Sequence, residues 1–299
     1  MQPLRGIFLR EGALTVGIAP ECGGALTRFD MRVGDSLIDV LRPALDQSIR
    51  GVCALGSSCF PLVPYGGRLR EGRFRFGGNE YRYPLNAAPE RHSSHGDGWT
   101  RPWDLLHLNR RTAIMRLPAD DSAPLQYVCT QSISVDSERV RIVLSSRNVS
   151  AQPIPMGLGL HPYFANRAQA ALTVALPDHW QWDHELMPVA KQTNPLAEAL
   201  ARGRNVAGLP IAAEYAGWDG RALIEWRASG LRVDLVTTPR LRHVVMWLPE
   251  GESFFCLEPI SHATDALNEY SGSAAAEDFV ILGPGETMSQ CFDFNVSTH

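Results

Sequence analysis

The sequence predicts an all-β protein, a large antiparallel β-sandwich with few and short helices. Three observations predict it. Apolar residues recur at every second position from end to end, the alternating runs are short and parted by Gly, Pro and Asn turns, and helical periodicity is rare. At 299 residues and 44% hydrophobic the chain can bury a large core. It shows no signature at fixed spacing of the kind a propeller or solenoid carries. The Pro/Gly-containing pieces at 149–157 and 203–210 are short and flanked by strand patterns, so a single domain over 1–299 is expected.

Taken in order, Leu14-Val16-Ile18 opens the alternation. Phe74-Phe76 and Tyr81-Tyr83 follow, and Gly77-Gly78-Asn79 between them predicts a hairpin joining Arg73–Phe76 to Glu80–Tyr83. Tyr127-Cys129, Val140-Ile142-Leu144 and Leu231-Val233-Leu235 are strands with one buried face, as are the residues around Phe292 and Phe294. Gly66-Gly67 and Pro284-Gly285 supply further turns. Only Pro195–Ala201 and Ala263–Tyr270 read as helical.

Charge narrows the partners. Charged residues make up 20% and the net charge is −4, which gives no electrostatic attraction for nucleic acid or an anionic membrane surface. No apolar run approaches the roughly 20 residues of a membrane span, and the N-terminus lacks the basic-then-apolar secretory pattern, so a cytoplasmic protein is expected. Six scattered cysteines without a C-x-x-C pair read as reduced, packed thiols. Of 28 basic residues only Lys191 is a lysine, and it lies in a polar stretch, which disfavours Schiff-base and pyridoxal chemistry. There is no G-x-x-x-x-G-K-[ST] phosphate loop.

Against this background a few residues stand out. His161 lies between a glycine-relieved apolar run and an aromatic pair, in Gly157-Leu158-Gly159-Leu160-His161-Pro162-Tyr163-Phe164. Glu258 is a lone carboxylate in Phe254-Phe255-Cys256-Leu257-Glu258-Pro259, an apolar run that reads as a strand. Alternation puts Phe254, Cys256 and Glu258 on one face, so Cys256 is expected to border a site there as packing. His92 and His95 occupy the glycine-containing stretch Arg91–Trp99, where solvated loop histidines compete with ligand contacts. Their H-x-x-H spacing invites a metal, but no H-E-x-x-H, nearby cysteine or carboxylate triad accompanies it, so hydrogen bonding to a ligand is preferred and no metal is expected. Trp218 and Asp219 join an aromatic face to a carboxylate in a turn, an arrangement suited either to turn chemistry or to a polyol ring. Arg68 follows the tight turn Tyr65-Gly66-Gly67 and offers a planar donor fork. His107, His179, His184, His243 and His262 have no constellation around them.

Together these motifs resemble the aldose 1-epimerases (galactose mutarotases) and the wider group of mutarotase-like sugar epimerases. The matching pieces fall in order across nearly the whole chain: Pro64-Tyr65-Gly66-Gly67-Arg68 with Gly72-Arg73-Phe74, Ser94-His95-Gly96, His161-Pro162-Tyr163-Phe164, Gly217-Trp218-Asp219, and Cys256-Leu257-Glu258-Pro259 before Asp265-Ala266-Leu267-Asn268. The resemblance implies one galactose mutarotase-like supersandwich, with the sugar lying across a sheet face. It implies Glu258 as general base, His161 as general acid, and Arg68, His95 and Asp219, beside Trp218, as the groups that hold the sugar. Leu160 and Pro162 flank His161 where the typical galactose mutarotase has asparagine before and serine or alanine after, a departure that bears on the sugar rather than on acid–base chemistry.

The implied reaction opens a cyclic hemiacetal: a base takes the anomeric hydroxyl proton while an acid protonates the ring oxygen. Each transfer contributes roughly 10²–10⁴-fold, about 3–5 kcal/mol, so a carboxylate and an imidazole suffice without cofactor or metal. A deprotonated Glu258 and an acid-form His161 predict a bell-shaped pH profile, its acid limb from the glutamate and its alkaline limb from the histidine. The apolar residues around Glu258 raise its pKa and nearby Arg68 lowers it. The expected partner is a small-molecule aldose, with no nucleic acid, no membrane and no specified oligomeric state. A hexose-6-phosphate epimerase needs converging arginines, for which Arg91 and Arg101 are candidates; a non-catalytic sugar-binding protein needs no matched acid and base; a glycoside hydrolase needs two facing carboxylates.

Overall fold

A computed structural model describes residues 6–46, 54–209, 212–269 and 279–298. Two antiparallel sheets, one of eleven strands and one of nine, carry the architecture, so the all-β sandwich expected from alternation is what forms. Cys53, Tyr270 and the chain ends lie outside the described residues.

Alternation maps directly onto burial in the nine-stranded sheet. Tyr127–Val135, Arg139–Asn148 and Leu231–Thr237 each bury every second residue and leave the others at least partly exposed. Their inward residues meet those of the other sheet in one continuous core, where Phe29 and Phe294 sit edge to face at 5.8 Å and Phe164 and Phe255 stack at 5.3 Å. Each such buried side chain contributes roughly 1.5–3 kcal/mol. The hairpin forms with Arg73–Phe76 against Asn79–Arg82, so Asn79 belongs to the strand and only Gly77-Gly78 turn. Both glycines have positive φ, 57° and 81°, which a two-residue hairpin turn requires. Of the expected helices, Ala197–Ala201 and Ala266–Glu269 are helical. No helix among the described residues is long and apolar enough to cross a membrane.

Five strands at the centre of the eleven-stranded sheet matter most. Cys59–Leu62, Gly159–Phe164, Phe255–Ile260, His243–Trp247 and Ala212–Ala216 are neighbours in that order. Gly159–Phe164 and Phe255–Ile260 are buried at every residue. Continuous apolar sequence is what a strand covered on both faces needs, which is why alternation is muted there. Leu160, Phe164, Phe255 and Leu257 face the inter-sheet core, whereas Phe60, Tyr163, Phe254 and Cys256 belong to a second cluster on the opposite, outer face.

Candidate active site

Register brings the two principal residues together. Gly159 pairs with Ile260 and Tyr163 with Cys256, which sets His161 opposite Glu258 on the outer face. His161 Nε2 lies 3.3 Å from Glu258 Oε1, and both side chains are nearly fully buried. They stand at the floor of a cavity of about 480 Å³. His161 Nδ1 and Glu258 Oε2 have no hydrogen-bond partner among the described residues, so the pair retains unused polar capacity.

The imidazole is held by stacking. Phe60 and Tyr163 each lie 4.6 Å from it, with interplanar angles of 28° and 22°. Arg42 extends the series, its guanidinium 3.8 Å from the Tyr163 ring and 4.2 Å from that of Phe254. Its Nε and Nη2 donate to the carbonyls of Ser57 and Leu55, which fixes the plane.

His95 completes the group, its ring edge-on to His161 at 5.2 Å. Its backbone has φ 60°, a left-handed conformation costing a non-glycine residue on the order of 1 kcal/mol. Reciprocal bonds sustain it: the His95 N–H donates to the Gly67 carbonyl, and the Gly67 N–H donates to His95 Nδ1 at 3.2 Å. The ring therefore carries its proton on Nε2 and acts as a hydrogen-bond donor. His95, His161 and Glu258 place donor atoms within 4.8 Å of one another, a spacing compatible with a metal. With one His95 nitrogen accepting from Gly67 and the other protonated, the ring has no lone pair to give, so the chemistry of the donor set favours an organic hydroxyl over a cation.

Arg68 lines the same cavity and forms a two-pronged pair with Glu90, at 3.0 and 2.9 Å. Its loop is clamped to the segment after the Glu258 strand: the Asp265 N–H donates to the Arg68 carbonyl, and the Arg70 N–H donates to Asp265 Oδ1. Burial pushes Glu258 up to about 8, outweighing Arg68, which pulls it down; Glu214 adds to the rise. Burial also lowers His161 well below its ordinary value, helped by His95 and Arg42, and lowers His95 to about 3. At neutral pH the pair thus holds one proton, resting on Glu258.

Several expected residues lie elsewhere. Asp219 is exposed and accepts from the Arg221 N–H, and the buried Trp218 donates its indole N–H to the Arg221 carbonyl; both serve the turn and neither lines the cavity. Arg91 pairs with Glu185 and Arg101 with Asp97, so neither reaches the cavity. Cys256 lies on the expected face but is fully buried packing, its thiol pushed up by burial. His92 is buried rather than solvated, accepting from the Glu71 N–H.

Sequence reading missed Arg42 and Glu214. Glu214 pairs across with Val245, which pairs with Glu258, so the two carboxylates share one row of the outer face. Glu214 Oε1 accepts from the Thr264 N–H at 2.9 Å and lies 3.7 Å from His243 Nδ1, which gives that histidine the constellation it lacked. The signal was available: Glu214, like Glu258, is a lone carboxylate in an apolar strand. His262 likewise has a place, accepting from the Gly66 N–H beneath the Arg68 loop.

Comparison with known proteins finds relatives over nearly the whole chain. The model of the Aldose 1-epimerase family matches residues 7–294. The uncharacterized protein YphB of Escherichia coli K12 is 28% identical over 291 residues, covering 94% of this chain and 95% of YphB. The solved structure of a candidate aldose 1-epimerase from Escherichia coli K12 superposes with a TM-score of 0.86 at 26% identity, over 98% of this chain and 99% of its own. A galactose mutarotase-like protein from Clostridium acetobutylicum shares the fold, with a TM-score of 0.84 at 18% identity over 98% and 95%.

Proposed function

The chain belongs to the aldose 1-epimerase family, and from that premise we propose that it interconverts the α and β anomers of a free, unphosphorylated aldose. The observation that carries the proposal is the buried His161–Glu258 pair, 3.3 Å apart at the floor of the cavity. Glu258 exchanges a proton with the anomeric oxygen and His161 with the ring oxygen. Arg68 and His95 Nε2–H hold the hydroxyls.

In ring opening, Glu258 takes the O1 proton, His161 gives one to O5, and the C1–O5 bond breaks to leave the aldehyde. Rotation about C1–C2 presents the other carbonyl face. Reclosure forms the C1–O5 bond while His161 takes the O5 proton and Glu258 returns one to O1. The pair holds one proton throughout, moved from His161 to Glu258 on opening and back on closing. The resting distribution, with the proton on Glu258, matches the pair after opening, which favours closure. Opening needs the proton on His161.

The cavity carries Arg42 and Arg68 against Glu90, Glu250 and Glu252, and Glu90 already occupies Arg68. This balance supports a neutral sugar over a sugar phosphate. The cytoplasmic assignment is part of the proposal and draws, among the described residues, on the free thiols of Cys59, Cys129, Cys256 and Cys291.

Polarimetry on freshly dissolved aldoses and their 6-phosphates tests the proposal, with exchange expected for a free sugar. Glu258→Gln should keep the fold and sugar binding but lower kcat roughly 10²-fold or more. Near-wild-type turnover in the folded variant would sink the assignment.

A further inference from the structure

Strand residues two apart share a face and stand roughly 7 Å apart, so the outer face of the eleven-stranded sheet is built in rows. His161, Glu258 and Val245 form one row. On one side this row is closed. A Cβ on Gly66 would lie 2.6 Å from Ile260 Cγ2, and one on Gly67 would lie 2.2 Å from Thr264 Oγ1, so the Arg68 loop and the Ser261–Asp265 segment already touch. On that side the sugar meets Gly67, Arg68 and Glu90, which line the cavity.

The other side is open. The next row carries Tyr163, Cys256, Trp247 and Ala212 in register, and Phe254 follows beyond it. Trp247 is 37% exposed and lines the cavity together with Trp182. Ala212, paired with Trp247, offers only a methyl group, so the floor beside the indole is low. A single hexose has twelve non-hydrogen atoms and fills on the order of 200 Å³ at close packing. The cavity is about 480 Å³, so one ring at the acid–base pair does not fill it.

Resting on the mutarotase reading, we infer that the Trp247 end of the cavity is a subsite for a second sugar residue, and that the preferred substrates are reducing ends of disaccharides or longer oligosaccharides. A linked ring stands about one ring length beyond the first, the spacing of one row. Its C–H face lies on the Trp247 indole beside Trp182, the arrangement by which aromatic side chains hold sugars. Arg42, Glu250 and Glu252 at the same end donate to and accept from its hydroxyls.

The experiment compares glucose with cellobiose, maltose and lactose, which all end in a reducing glucose. Anomer exchange is followed by polarimetry, and binding to Glu258→Gln by calorimetry. At least one disaccharide should exceed glucose by about tenfold in kcat/KM and in affinity. Trp247→Ala should collapse both ratios toward one, and Trp247→Phe should restore part of them by keeping an aromatic face. No disaccharide advantage in either assay overturns the subsite, and so does an advantage that survives in a folded Trp247→Ala. Absence of anomer exchange on every sugar would strike the mutarotase reading instead, and calorimetry would still decide the subsite.

Discussion

The Arg42 guanidinium stands 3.8 Å from the Tyr163 ring, and that ring stacks in turn on His161. A fixed positive charge thus sits one aromatic ring away from the imidazole, where it joins burial in opposing His161 protonation. Arg42→Met keeps apolar contact with the rings and removes the charge. The acid limb of kcat/KM should move to higher pH, by roughly a few tenths to one unit. A limb that stays in place in Arg42→Met would remove Arg42 from the electrostatics of His161.

The pH profile itself should run opposite to what residue types alone predict. The active pair holds one proton, so activity falls at high pH when that proton leaves Glu258, near 8, and at low pH when His161 gains a second one, well below its ordinary value. Glu258→Gln should abolish the alkaline limb, and His161 variants should alter the acid limb. Recording kcat/KM from pH 4 to 10 decides this, and an acid limb that vanished in Glu258→Gln would restore the order expected from sequence.

Stability should report the same carboxyl. Glu258 has a folded pKa of about 8 against an ordinary 4.5, so the folded protein keeps a proton that the unfolded chain releases. The resulting stabilisation is complete below about 4.5 and is lost as pH rises through about 8, at about 1.4 kcal/mol per pH unit. Gln at this position has no proton to lose. The melting temperature of Glu258→Gln should therefore gain on wild type steadily from pH 5 to pH 8 in calorimetry. The depressed histidines act in the opposite sense and are common to both proteins. A difference independent of pH would show that Glu258 is not held neutral by the fold.

Asp219→Asn should leave kcat and KM within about twofold, since its carboxylate serves the turn through the Arg221 N–H, a bond the amide oxygen also makes. A loss of tenfold or more in steady-state kinetics would return the Trp218–Asp219 turn to the site.

The contrast between Asp219 and Glu258 explains how much of this protein was legible in its sequence. Strands with one buried face declare themselves by alternation, as Tyr127–Val135 does. A carboxylate inside an apolar strand, as at Glu258, has few innocent explanations, because burying it unpaired is costly. A carboxylate before glycine has a ready one, and at Asp219 the turn takes it. Arg42 was invisible for another reason: its aromatic partners, Tyr163 and Phe254, are brought to it only by tertiary packing. Glu214 carries the same signal as Glu258, a lone carboxylate in an apolar strand.

Glu258 and His161 stand on adjacent central strands whose residues are all buried, so their separation is set by the hydrogen-bonded spacing of the sheet. Neither residue rides on a loop. Parting them means opening the middle of the sheet, the costliest class of motion in a domain. Heat inactivation and global melting should consequently be one event, and the amide protons of the non-proline residues of Gly159–Phe164 and Phe255–Ile260 should exchange with solvent only when the whole molecule unfolds.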